Sequence, residues 1–589
     1  MIEMKSRLLR AKVWTGAGCF LFLAASSHAA AAPAPASPAS KTAAKPAQVA
    51  TNIKMNGPQV GMPEGRLGRP ADAIATDPDG KLMVAAWETL EGTCAGSFGG
   101  KCNAPKTPGV TAYGYSTDGG KTWTDAGPPY FPGDVMTSGR PWLDRGGVDN
   151  QMYFLTSRAA AVKPIEKKDN TPGGSNQLGI LLYRGRFKDG SFSWIDQHLF
   201  TPSTNLSILR SPSIMAAKDG SGRVWLAIAN LVGICSRPGG SGGQIEVFRS
   251  ADEGKTWAGP VVVSPEEFRE TEKPDPNDVK CGNKGAIQIL PSMALGPKNE
   301  IYITWQHGPT LESLDPLHLD HKTGIRFARS LDGGQSFSAP LELANVNSMR
   351  ENPPVGYSKT TANDLARIAV STGGEHKGRV FVTYTTAVQE AGGPDTKQNE
   401  VSSQVYLVYS DDQGATWSKP VPLAAEVPPT GVKRFWPTIA VRNNGDLDVI
   451  YMENLDKQVT PDPEDVECKI LTVVGNQVRQ GKLSSLSDIY WVRSTDGGAS
   501  FGAPIRVTTE TTNWCNVKYD QQTTQYANFG DVLGIWTTGD RSFAVWPDGR
   551  NGVPDAYFAE LAVGAAKAEM PAKPAPKPHP KAAPKPPAN

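Results

Sequence analysis

An eight-residue pattern, Ser-x-Asp-x-Gly-x-x-Trp/Phe, occurs five times in this 589-residue chain, and a motif repeated on that scale restricts the fold to an array of like units. The copies begin at Ser116, Ser250, Ser330, Ser410 and Ser494, with intervals of 134, 80, 80 and 84 residues. A worn copy from Phe187 to Trp194 keeps Asp189 and divides the long interval into 71 and 63. Six units therefore stand at roughly even spacing.

Each full copy follows an alternating run rich in β-branched and aromatic residues, such as Gln404 to Tyr409 or Asp488 to Val492, and period two reads as strand. A second short strand follows most copies, so the motif is a hairpin turn. Asp and Ser bond nearby backbone N–H groups, Gly supplies positive φ, and the aromatic residue is expected to cover the base of the hairpin. On these residues the chain resembles the bacterial neuraminidase (sialidase) repeat family, whose repeat is the Asp box. That resemblance implies an all-β propeller. Asp118, Asp189, Asp252, Asp332, Asp412 and Asp496 are read as structural, since catalysis would not need one residue type repeated in every turn.

Each unit opens with a further strand pair joined by a Gly/Asn/Asp turn, for example Ser292 to Leu295 with Ile301 to Trp305, or Thr438 to Val441 with Asp448 to Tyr451. A seventh pair, Val532 to Trp536 with Phe543 to Trp546, precedes one strand, Asp555 to Glu560, and no box. The last unit is thus one strand short. The stretch Asn52 to Met55 resembles the outer strands at 260–263 and 504–507, and is expected to supply the missing strand and close the ring, which removes an open sheet edge. Seven blades is the favoured count and six, the number the sialidase resemblance implies, is the alternative.

Lys5, Arg7, Arg10 and Lys12 precede a short apolar run ending near Ala25, and small residues follow, so residues 1–30 read as a secretory signal and the mature protein as secreted or periplasmic. Residues 31–50 are an Ala/Pro-rich linker, 51–564 the propeller, and 565–589 a Pro/Ala/Lys tail expected to be disordered. The whole chain carries +1 while both ends are basic, so the propeller is acidic, which argues against nucleic acid as a partner. Cys94, Cys102, Cys235, Cys281, Cys468 and Cys515 remain after signal removal; in an oxidising compartment an even number favours disulfides, expected as Cys94–Cys102, Cys235–Cys281 and Cys468–Cys515. No motif implies a metal or cofactor, and the reading is a monomer with no membrane span.

In an up-and-down blade the boxes lie on one face, while the second-to-third loops, here long, and the interblade connections lie on the other. Long loops on a rigid scaffold are where binding and catalysis usually sit. That face collects Arg69, Asp72, Arg140, Arg210, Arg434, Trp436 and Glu453 at strand beginnings and ends. Guanidinium groups suit a carboxylate ligand, and carboxylates suit glycosidic-bond cleavage. The sialidase resemblance implies three arginines clamping a sugar carboxylate, here Arg69, Arg210 and Arg434, with Asp72 as acid/base and Tyr526 or Tyr519 as a nucleophile activated by a Glu such as Glu453. The family's Phe/Tyr-Arg-Ile-Pro signature is absent; the nearest stretch runs from Leu67 to Asp72. The functional expectation is an exported propeller that binds, and in the catalytic version hydrolyses, glycans, acidic sugars among them. The alternative is a non-catalytic propeller that binds or assembles proteins at the cell surface or in the periplasm.

Overall fold

A computed structural model describes residues 48–49, 51–57, 71–92, 109–161, 177–202, 207–232, 242–265, 287–308, 322–347, 354, 366–388, 402–459, 483–517 and 532–562. The chain separates into two units, Met1–Lys45 and Pro46–Asn589, and every described residue belongs to the second. Among the described residues no helix is long and apolar enough to cross a membrane.

The strands form five hydrogen-bonded sheets, of which two have nine strands. Each nine-stranded sheet is two blades joined through one parallel contact, Gly109 with Thr137 or Ser403 with Lys433. Among the described residues the array therefore has seven blades. Their innermost strands are Ala71–Thr76, Trp142–Gly146, Ser207–Ala216, Ile287–Leu295, Arg367–Val370, Val432–Val441 and Gly534–Thr538. Each packs on the next, and the seventh packs on the first, so the ring is closed. The core follows that plan. Seven clusters of buried apolar side chains fill the seven spaces between adjacent blades, as where Phe381 and Leu407 of blade 5 meet Val449 and Tyr451 of blade 6.

Closure uses the segment expected from the sequence. Ile53 and Lys54 pair with Phe558 and Tyr557 on the third strand of blade 7, and the Met55 N–H donates to the Ala556 carbonyl at 2.8 Å. Asn52 spans to blade 6: its amide donates to the Val507 carbonyl at 3.0 Å, and its oxygen accepts from the Thr509 N–H at 2.7 Å and from Arg550 at 2.9 Å. Deleting residues 52–55 should expose an unpaired sheet edge and remove cooperative unfolding or cause aggregation, whereas truncation after Gly564 should do neither. Denaturant titration of both truncations checks this; identical behaviour would refute the closure.

The five full boxes share one geometry. In each, the Ser hydroxyl donates to the Asp carboxylate at 2.7–2.8 Å and accepts the N–H of the Gly four residues on at 2.8–2.9 Å. The carboxylate also accepts a hydroxyl four residues on at 2.5–2.7 Å. That Gly takes φ of +80 to +89°. A Cβ on Gly120 would lie 2.4 Å from Phe558, and one on Gly414 2.3 Å from Phe327, so the glycine also lets the neighbouring blade approach. The box tryptophan does more than cover its own hairpin: Trp123, Trp257 and Trp417 pack on Phe558, Phe200 and Phe327 of the preceding blade, with centroids 5.4, 5.2 and 5.0 Å apart. Asp189 differs from the other five. It and Gly190 (φ +51° and +77°) form a two-residue turn closed by the Lys188–Ser191 pair, the Asp-Gly hairpin rather than a box, and among the described residues Asp189 makes none of the box hydrogen bonds.

Burial alone would push the Asp252 carboxyl up, yet hydrogen bonds from the Thr256 side chain and backbone, Ser250 and Lys255 bring it down to about 2. A depressed carboxyl contributes stability above its unfolded value, roughly 3.9, and loses it as pH falls through the folded value. The denaturation midpoint should therefore drop between about pH 4 and 2, and Asp252→Asn should flatten that slope in a urea series taken across this range.

Candidate functional site

Four inner strands carry a residue-proline step, just before the strand at Arg140-Pro141 and within it at Ser211-Pro212, Leu290-Pro291 and Trp436-Pro437. The residue before each proline is left-handed, with φ +59, +50, +59 and +56°. Three of these steps fall where the strand register slips, between Arg210 and Ser213, Ile289 and Ser292, and Phe435 and Thr438. A left-handed non-glycine costs on the order of 1–3 kcal/mol, and persists only where the surroundings over-determine it. Here the pairing on either side of the slip fixes the chain. The hydroxyl after the proline adds a tie to the next blade: Ser213 and Ser292 accept the N–H groups of Met293 and Ile368 at 3.3 and 3.4 Å, and Thr438 donates to the Leu533 carbonyl at 3.1 Å. The same backbone device thus recurs around one mouth of the central channel, the mouth opposite the Asp boxes.

At that mouth lies a recess with about 400 Å³ of empty space, part of it open to solvent. Among the described residues its cationic wall is Arg140 and Arg367, its aliphatic wall Leu290 and Val532, and Glu88, Trp142, Ser211 and three prolines complete it. The Arg367 guanidinium stacks over the Trp142 ring, 4.3 Å from its centroid. Glu88 accepts the backbone N–H of Arg140 at 2.7 Å and so holds the left-handed turn in place. Arg210 stands beside them. Burial, and then the like charge of Arg140, lower its proton affinity below the ordinary arginine value. Its buried Nε has no hydrogen-bond partner in the structure, and none of the ion pairs among the described residues involves it. Arg140 of blade 2 and Arg367 of blade 5 thus line the recess, and Arg210 of blade 3 lies within range of the Arg140 charge.

Arg434 and Glu453 do not line this recess. They are cross-strand partners paired at 2.8 Å, and Arg434 also donates to the Glu426 carbonyl at 2.9 Å, so its charge is spent fastening blade 6 to the chain that enters it. Trp436 is 1% exposed and packs edge-on against Phe435 in the core between blades 6 and 7. Asp72 occupies the register irregularity between Ala71 and Ala73 of the blade 1 inner strand, while Arg69, Tyr519 and Tyr526 lie outside the described residues. Of the six cysteines only Cys515 is among the described residues; its sulfur accepts the Ser485 N–H at 3.2 Å. Trp142, Leu290 and Val532 were not anticipated as site residues. The signal that could have found Leu290, and Trp142 two places after Arg140, is the recurring X-Pro step.

The BNR/Asp-box repeat family matches residues 408–419, the copy in blade 5. No curated protein is significantly similar to the chain in sequence. Among solved structures, the chain is similar to an alpha-L-arabinofuranosidase of Fusarium graminearum in complex with arabinobiose (13% identity, TM-score 0.39, covering 68% of this chain and 92% of that one). It is also similar to a Penicillium chrysogenum alpha-L-arabinanase complexed with arabinobiose (12% identity, TM-score 0.37, 74% and 97%). A third is the Trypanosoma rangeli sialidase in complex with the inhibitor DANA (14% identity, TM-score 0.34, covering 67% of this chain and 54% of that one).

Proposed function

We propose that this Asp-box β-propeller is exported and binds an acidic glycan at the arginine-lined mouth of its channel. One observation carries the reading: Arg210, half-buried, feels the like charge of Arg140 on the neighbouring blade, and a carboxylate that accepts from both would favour both charged forms. A guanidinium binds a carboxylate through two parallel hydrogen bonds, and in a partly desolvated recess such bonds are stronger than in water. The clamp in this proposal is formed by Arg140, Arg210 and Arg367, with Arg140 and Arg367 in place of Arg69 and Arg434. Calorimetric titration of the purified protein with glucuronic acid and sialic acid, against neutral sugars of the same size, tests it: the acids should bind, and the affinity should fall as salt rises. Equal binding of neutral sugars, or no binding of either acid, would leave the protein-binding propeller as the better reading.

Sialidase-like hydrolysis is the second reading, favoured by the position of Asp72 at the start of an inner strand on the same mouth. It predicts turnover of chromogenic sialosides or uronides that Asp72→Asn abolishes. Export has its own test. The expected Cys468–Cys515 disulfide would anchor the long loop of blade 6 and stabilise by about 2–4 kcal/mol. Peptide mapping of the unreduced protein should recover the two cysteines in one linked fragment, and recovery of both as free thiols would refute it.

A further inference from the structure

The outer edge of blade 2 differs from the rest of the ring. Its strand Ser191–Phe200 has ten residues, whereas the outer strands of the other six blades, among the described residues, have between two and seven. One side of it is paired with the third strand of the blade, and the other side meets no described strand. A sheet edge is ordinarily kept from further pairing by shortness, proline or lysine. This strand has no proline, lysine or arginine. Its single carboxylate, Asp196, is fastened to its own blade, with Oδ1 2.6 Å from the Arg184 Nε, and is still 47% exposed. The one irregularity is a bulge: the register slips between Arg184 and Gly185, so that Ile195 has no residue opposite it and stands 51% exposed.

The sequence of this edge is complementary to itself. Residues 194–200 read Trp-Ile-Asp-Gln-His-Leu-Phe, and the order aromatic, aliphatic, acid, amide, imidazole, aliphatic, aromatic matches its own reverse. When two copies lie antiparallel about Gln197, Asp196 of each faces His198 of the other, Ile195 faces Leu199 and Trp194 faces Phe200. Positions 196–198 lie on the regular side of the bulge. Opposite charges and apolar side chains that face each other across strands stabilise the pairing, and like charges oppose it. A centre one residue later sets Asp196 against Phe200 and His198 against His198, so charge selects the register. We infer that the protein forms a two-fold dimer through the outer strands of blade 2, paired antiparallel about Gln197. Because each copy contributes the same patch, the assembly closes at two chains and both edges are used. This departs from the monomer read from the sequence.

Sedimentation velocity of the full chain from about 1 to 100 µM, the range in which a small interface associates, tests the inference. The wild type should pass from one chain to two as its concentration rises. His198 is exposed, so its replacement should leave the fold intact. His198→Asp sets aspartate against aspartate twice in each dimer and should raise the dissociation constant about tenfold or more. His198→Lys keeps opposite signs at both places and should dimerise as the wild type does. A wild type that stays a single chain across the range overturns the inference. So does a dimer that His198→Asp leaves intact, which would be joined at another surface, or one that His198→Lys weakens as much as His198→Asp, since the opposed charges would then play no part.

Discussion

Asp448→Ala should destabilise the protein by about 3–5 kcal/mol, the range expected when one partner of a buried ionic cluster is removed. Asp448 is fully buried on the second strand of blade 6. It accepts from Arg442 at 2.7 Å, from Arg493 at 2.8 and 2.9 Å, from the Trp491 indole at 2.8 Å and from the Ser542 hydroxyl of blade 7 at 2.5 Å. Alanine would leave two nearly buried guanidiniums facing each other across an unpaired indole and hydroxyl. Burial raises the Asp448 carboxyl, but the hydrogen bond and charge of Arg493, followed by the charge of Arg442, outweigh it and the net direction is down. The contribution is therefore complete above the unfolded value of roughly 3.9 and lost as pH falls below it. Denaturant unfolding at neutral pH and near pH 3 checks both halves: wild type and Asp448→Ala should differ widely at the first and converge toward the second. Equal midpoints at neutral pH would refute the cluster's importance.

The contrast between the boxes and this cluster shows what a linear sequence displays. The box hydrogen bonds join residues two and four positions apart, so the chemistry that needs Ser, Asp and Gly together is written within eight residues. Strand pairs within a blade are nearly as local, which is why the blade count and the closing segment at 52–55 could be read before any coordinates. Contacts between blades are not local. Arg442, Asp448, Arg493 and Ser542 come from turns and strands up to 100 positions apart, and Arg367 stacks on Trp142 across the ring. No spacing rule connects them. Arg434 was misleading for a related reason: its register opposite Glu453 turns an arginine that looks available at a strand start into half of a structural pair. The left-handed residues were hidden by an ordinary preference, since a residue before proline normally adopts extended backbone. Asp189 shows the reverse error, in which a motif remnant is read as the motif although the chain there needs only a two-residue turn.

Arg210→Met is expected to separate binding from stability by moving them in opposite directions. If Arg140 and Arg210 hold a carboxylate together, loss of one half-buried charged partner should weaken binding of an acidic sugar by about 2–5 kcal/mol, at least thirtyfold. The free protein should lose nothing comparable. Arg210 is partly desolvated and feels the like charge of Arg140, which disfavours its charged form, and methionine carries no such penalty. Its thermal midpoint should equal or exceed that of the wild type, as when a residue kept for binding is replaced by one better suited to folding. Arg434→Met should show the opposite pattern, with a lowered midpoint because Glu453 and the Glu426 carbonyl lose their donor, and with affinity for the acid close to that of the wild type. A binding loss in Arg434→Met as large as that in Arg210→Met would place the clamp on blade 6 and remove the site from the recess. A loss of stability in Arg210→Met would mean that its guanidinium is compensated within the fold, and the repulsion from which the acidic ligand was argued would not exist.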